Sequence, residues 1–164
     1  MKGRAARVAR MGLLFSLALV LSFFESTLSG WIPVPGIKLG LSNVVTMYCL
    51  FCLGWREAYI LAVLKSLFVF LTRGAVGAAM SLSGGLLSVT IMLVLVKLRR
   101  NSHLFISICG GLFHNLGQLM MAAFVMDNLM VFYYFPILAV AGVGMGILTG
   151  VLTRTLEPAL QRLV

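Results

Sequence analysis

Six apolar runs separated by short polar breaks account for most of the chain, and the pattern predicts helices over residues 11–25, 41–55, 58–73, 75–98, 104–127 and 129–153. The runs exceed the ~10 residues of a barrel strand and have no period of two, so membrane-spanning helices are expected, not a β-barrel. The breaks carry residues that stop helices or prefer water. Pro33 and Pro35 stand in the first, Trp55-Arg56-Glu57 form the second, Thr72-Arg73-Gly74 the third, and Lys97 to Arg100 the fourth. Asp127-Asn128 form the fifth, and an amphipathic tail, TRTLEPALQRLV, ends the sequence. No convincing small-x-small cleavage site follows the opening stretch to Phe24, and the rest of the chain is as apolar, so it reads as a retained first helix.

Composition fixes the class. Of the 164 residues 61% are hydrophobic and 10% charged, whereas a soluble domain has about 25% charged residues. Too few charges remain to cover a water-soluble core, so the chain reads as an all-α integral membrane protein. The net charge of +9 would suggest nucleic acid in a soluble protein. Here the cations lie between apolar runs, which is the pattern of membrane orientation. Six crossings place Lys2, Arg4, Arg7, Arg10, Arg56, Lys97, Arg99, Arg100, Arg154 and Arg162 on one side, against Lys38 and Arg73 on the other. The expectation is a six-helix bundle with both termini cytoplasmic.

Polar groups inside apolar runs are costly and mark function or internal pairing. Lys65 is central in its run and is expected to face a cavity or an acid, with Glu25 the obvious acid. In FHNLGQL, His114 and Gln118 are four residues apart and share a helix face, with Asn115 one step round. Interhelical hydrogen bonding explains such a cluster, and so does the lining of a ligand site. One histidine without a Cys or Asp on its face gives no metal site. Cys49 and Cys52 lie within an apolar run without a second pair and read as packing residues. Small residues recur every four positions at Ala18 and Ser22, at Gly77, Ser81 and Gly85, and at Gly142, Gly146 and Gly150. Such faces let helices approach closely in lipid. The stripe at 142–150 reads as internal, and Ala18 with Ser22 as a candidate docking face for a membrane partner.

Catalytic chemistry is not visible. The chain has no P-loop, and its acids Glu25, Glu57, Asp127 and Glu157 are scattered rather than paired for magnesium. No cofactor is expected.

The blocks GIKLGLSNVVTMYCLFCLGWREAYILAVLKSLFVFL, SLSGGLLSVTIMLVLVKL and GGLFHNLGQLMMAAF resemble the Gx transporter family, whose members carry the name heptaprenyl diphosphate synthase component I. The family is similar to the substrate-binding S components of energy-coupling factor transporters. The resemblance implies a six-helix bundle in a bacterial plasma membrane, with a pocket near the outer face closed by the loop between helices one and two. It also implies docking through Ala18 and Ser22 to a transmembrane coupling protein and two cytoplasmic ATPases. Within that scheme Pro35 to Asn43 forms a gate. Lys38, Asn43, Lys65, His114, Asn115 and Gln118 surround a small vitamin-like or cofactor-precursor solute. The competing expectation is a noncatalytic membrane subunit of a prenyl diphosphate synthase. An ion-coupled carrier is the third, though no inverted repeat relates residues 1–80 to 81–164.

Overall fold

The computed structural model describes residues 2–29, 41–98 and 101–162, and every regular element in them is helical. The loop bearing Lys38, Pro33 and Pro35 lies outside the described residues, as do Arg99 and Arg100. Helix α1 spans Lys2–Ser29 and α2 Leu41–Tyr48. The latter runs on as a π-helical turn, Cys49–Leu53, closed by Gly54 N–H donating to Cys49 O at 2.8 Å. Helix α3 spans Trp55–Lys97 and α4 His103–Met126; a 3-10 segment, Leu129–Tyr134, leads into α5, Phe135–Arg162.

Helix α3 is folded back on itself. Gly74 has φ 77° and ψ −175°, backbone that L side chains rarely adopt. Across this break Tyr59 Oη lies 2.7 Å from Thr90 Oγ1, although 31 positions separate them. A Cβ placed on Gly85 would sit 3.4 Å from the Ala62 Cβ. Such contacts require the halves 55–73 and 75–97 to run antiparallel, matching the two separate helices expected there. The second half packs on α4, α4 packs on α5, and α2 sits against α1 and α5.

Sequence boundaries shift where local chemistry decides. The expected turn at Trp55-Arg56-Glu57 lies one residue earlier, at Gly54 with φ 130°. Trp55 starts α3, and Glu57 falls in its first turn, where a carboxylate suits the helix dipole. At 129–134 the expected α-helix is 3-10; Pro136, lacking an N–H, is tolerated in the first turn of α5. The amphipathic tail continues α5 to Arg162. Ser102 caps α4 by accepting from Phe105 N–H at 3.2 Å, and Asp127 closes it in the left-handed region, φ 46°.

The burial pattern is inverted relative to a water-soluble bundle. Leu71, Phe124 and Tyr133 are each more than 80% exposed, while Glu25, Ser88, Ser107, His114, Asn115 and Gln118 are buried. Apolar outside and polar inside suits hydrocarbon as solvent. Four helices are long and apolar enough to cross a membrane, and Leu41–Leu53 is a shorter apolar helix. The described residues therefore form an all-helical fold of membrane-protein character.

Close helix approach is built from small residues. A Cβ on Gly117 would meet Gly84 Cα at 2.9 Å, and one on Gly142 would meet Leu112 Cα at 3.0 Å. Gly146 lies against Ser107 and Ile108, and Gly150 against Leu104. The 142–150 stripe thus faces α4. Serine hydroxyls reinforce the same seams: Ser83 donates to Gly117 O at 2.8 Å, Ser88 to Gly110 O at 2.8 Å and Ser107 to Gly146 O at 2.7 Å. Without a hydrophobic force between helices in lipid, packing and such bonds hold the bundle.

Candidate functional site

The first turn of α2, the middle of the first half of α3, and α4 bring Asn43, Lys65, His114 and Gln118 together. All four line one interior void of about 20 Å³, with Glu25, Arg73 and Ser81 also on its wall. The Lys65 ammonium donates to Asn43 Oδ1 at 3.0 Å. His114 Nε2 and Gln118 Nε2 are 3.3 Å apart, both side chains buried, as their four-residue spacing requires. A second void of about 10 Å³ adjoins the first through Asn43, Lys65, Ser81 and His114, and reaches Thr46 and Ser88. A third, about 20 Å³, continues past Ser88 and Met92 to Ser107 and Thr149. Each of these spaces is about the size of one water molecule. The described residues therefore enclose a polar seam of small connected voids.

One expected site residue faces another helix, and one is not among the described residues. Asn115 is turned to α5 and donates to Leu138 O at 2.9 Å, which makes it a helix fastener. Lys38 lies outside the described residues. The small-residue pair expected to face a partner points inward: Ala18 is wholly buried in the core with Leu14, Tyr48, Leu61 and Val89, and Ser22 lines the same void as Lys65. The outward surface of α1 is instead Leu13, Val20, Phe23 and Phe24. A face of small residues packs against something, and here the occupant is the bundle itself.

Sequence reading missed the polar wall supplied by Thr46, Ser81 and Ser88. Thr46 Oγ1 is buried with no hydrogen-bond partner among the described residues. Ser81 stood in the sequence within a small-residue stripe, so its hydroxyl was read as bulk. Ser81 and Ser88 are seven positions apart, two turns along the same helix face, and that spacing is the signal that could have found them.

At the opposite end of the bundle lies a far larger cleft of about 480 Å³, between α1 and the turn joining α2 to α3. Arg7 and Arg10 form one wall, Met11, Cys52 and Leu53 another. Glu57 is buried there and paired with Arg7. Phe51 stacks on His103 with ring centroids 4.4 Å apart, and the Arg56 guanidinium lies 5.1 Å above the Trp55 ring. This basic, aromatic end holds the start of α1, and Gly150 against Leu104 brings α5 back toward it.

No group of three His, Cys, Asp or Glu among the described residues is placed to hold a metal ion. Glu25 lines the interior void, Glu57 sits in the basic cleft and Asp127 ends α4. These acids are dispersed in space as they are in sequence. No curated protein and no solved structure matches the chain. The model of one family, described as heptaprenyl diphosphate synthase component I, matches residues 14–156, which include the groups of the interior void but not Arg7 and Arg10 of the cleft, and the chain belongs to that family.

Proposed function

We propose that the chain is the noncatalytic membrane subunit, component I, of a prenyl (heptaprenyl) diphosphate synthase, set in a bacterial plasma membrane. The family match over residues 14–156 carries this reading. The dispersed carboxylates support an accessory role, since magnesium-dependent diphosphate chemistry needs them clustered. The catalytic work belongs to a soluble partner subunit that the membrane subunit holds at the bilayer, where a lengthening apolar product is soluble.

In this reading the chain crosses the membrane six times with both termini in the cytoplasm. The halves of α3, at ~1.5 Å per residue, each approach the ~30 Å hydrocarbon thickness. The end bearing Arg7, Arg10, Arg56 and Lys97 is then cytoplasmic, and the turn at Arg73 and Asp127-Asn128 faces outward. The aromatic residues Phe132, Tyr133 and Tyr134 sit at interfacial depth beside that outer end.

A second reading is favoured by one observation, the convergence of the polar side chains of Asn43, Lys65, His114 and Gln118 inside the bundle. There the chain is the solute-binding subunit of an energy-coupling factor importer, working with a coupling protein and two ATPases. Purification of the tagged full chain from its native membrane separates the two. A soluble prenyl synthase subunit in the eluate, with chain-elongating activity that needs both proteins, supports the first. A coupling protein with two ATPases, and no synthase, overturns it in favour of the second.

A further inference from the structure

The cleft between α1 and the start of α3 stands outside the interior site, and neither reading above assigns it. Its volume of about 480 Å³ falls in the ~300–1,000 Å³ range of small-molecule pockets, while the interior voids are each about the size of one water molecule. Its walls are of two kinds. One is basic, Arg7 and Arg10; the other is apolar, Met11 with Leu53 and Cys52.

The charges are arranged rather than merely present. Glu57 is 5% exposed and holds Arg7, whose own side chain is 60% exposed. The buried carboxylate fixes one guanidinium at the rim and answers its charge. Arg10 is half-buried in the same cleft and has no carboxylate at ion-pair distance among the described residues. A positive charge held in a concave site beside apolar surface suits the depth of the bilayer where headgroups begin. A planar guanidinium fork suits phosphate oxygens.

We propose that this cleft binds an amphipathic organic phosphate: a phosphate or diphosphate head on Arg10 and the rim of Arg7, with the first part of its apolar tail along Met11 and Leu53. The chemistry is shared by a bilayer phospholipid and a soluble isoprenyl diphosphate. The proposal does not rest on the synthase reading, because the cleft would serve either partner set.

The test uses the purified full chain in detergent and saturable binding measured by native mass spectrometry and thermophoresis. The probes are farnesyl diphosphate, farnesol, inorganic diphosphate, phosphatidylglycerol and phosphatidylcholine. At least one anionic amphiphile is expected to bind about tenfold or more tightly than its neutral counterpart and than inorganic diphosphate. Arg10→Gln is expected to weaken that binding about tenfold, the effect of one lost charge-assisted contact, with thermal unfolding unchanged. Arg10→Lys keeps the charge and should recover part of the affinity, which also settles the case if the glutamine variant unfolds. Farnesyl diphosphate alone identifies the soluble source, and phosphatidylglycerol alone the bilayer. Equal binding of neutral and anionic probes, inorganic diphosphate binding as tightly as the amphiphiles, or an Arg10→Gln protein that binds like the parent overturns the proposal. Copurification of partner subunits is read on a separate sample, so failure here leaves that question standing.

Discussion

Lys65 reaches across from α3 and donates to Asn43 Oδ1 at 3.0 Å, joining the first turn of α2 to the middle of a membrane-length helix. The lysine sits too deep in its run to extend to water, so the amide and the small void beside it take the place of hydration. A pair of this kind is expected to behave as a unit. Lys65→Met leaves Asn43 facing the void and should cost about 1–3 kcal/mol. Asn43→Ala should cost a similar amount, and the double variant less than the sum, with a coupling of about 0.5–3 kcal/mol. Unfolding of all four proteins in one detergent measures the coupling; strict additivity would show the contact to be incidental.

Glycines that look alike in sequence are expected to differ sharply. Gly84 faces His114, whose carbonyl oxygen would lie 2.7 Å from an added Cβ, while Gly144 has nothing within 4 Å. Gly84→Ala must push α3 from α4 and should cost about 1–3 kcal/mol. Gly144→Ala should be neutral or stabilising, since alanine is the better helix former by about 1 kcal/mol. Midpoints of thermal unfolding in detergent check both, and equal shifts at the two sites would contradict the packing described.

Serine hydroxyls at the same seams give a smaller effect. Ser107 and Ser88 donate to carbonyls of neighbouring helices at 2.7 and 2.8 Å. Because unfolded segments in a membrane also find polar partners, Ser107→Ala and Ser88→Ala should each cost only about 0.6 kcal/mol, and under 2. Losses near those of a large-to-small core change would mean that the hydroxyls also hold the adjoining void together.

How far the sequence reached depends on which physics each residue obeys. The class was legible because lipid solvation acts on whole runs, and the hairpin at Gly74 was legible because Arg73-Gly74 interrupts one. The grouping of Lys65 with His114 and Gln118 followed from cost, as polar side chains in hydrocarbon seek each other. Asn115 shows where that logic stops. One residue step round the helix, about 100°, turned it to α5, and cost alone does not tell which neighbour satisfies an amide. Ala18 makes the same point for small residues, since a smooth face says that something packs there without saying what. The basic cleft was not legible at all. Arg7 and Glu57 are 50 positions apart, and in sequence both were ordinary members of flanking polar segments.

Sidedness is tested by labelling. With Cys49, Cys52 and Cys109 replaced by serine or alanine, Arg56→Cys should react with a membrane-impermeant maleimide only in inverted vesicles, and Asp127→Cys only in intact cells. Both positions are at the ends of helices and exposed. Labelling of both from the same side would break the six-crossing arrangement, because an odd number of crossings would then be missing between them.

The sharpest prediction concerns Gly74, because space and conformation can be told apart there. Nothing lies within 4 Å of an added Cβ, so Gly74→Ala creates no collision. Its backbone, φ 77° with ψ −175°, belongs to a region that is glycine's almost alone, and an L residue there costs about 1–3 kcal/mol. Alanine also favours continuing the helix, which would straighten α3 and pull Tyr59 away from Thr90. Gly74→Ala should therefore destabilise the protein by an amount set by backbone strain. A disulfide joining Ala62→Cys and Gly85→Cys, whose Cβ atoms would lie 3.4 Å apart across the fold-back, should form readily in the parent and less in the alanine variant. Disulfide formation that is equally fast in both, with no change in unfolding, would show that the fold-back does not depend on glycine at this position.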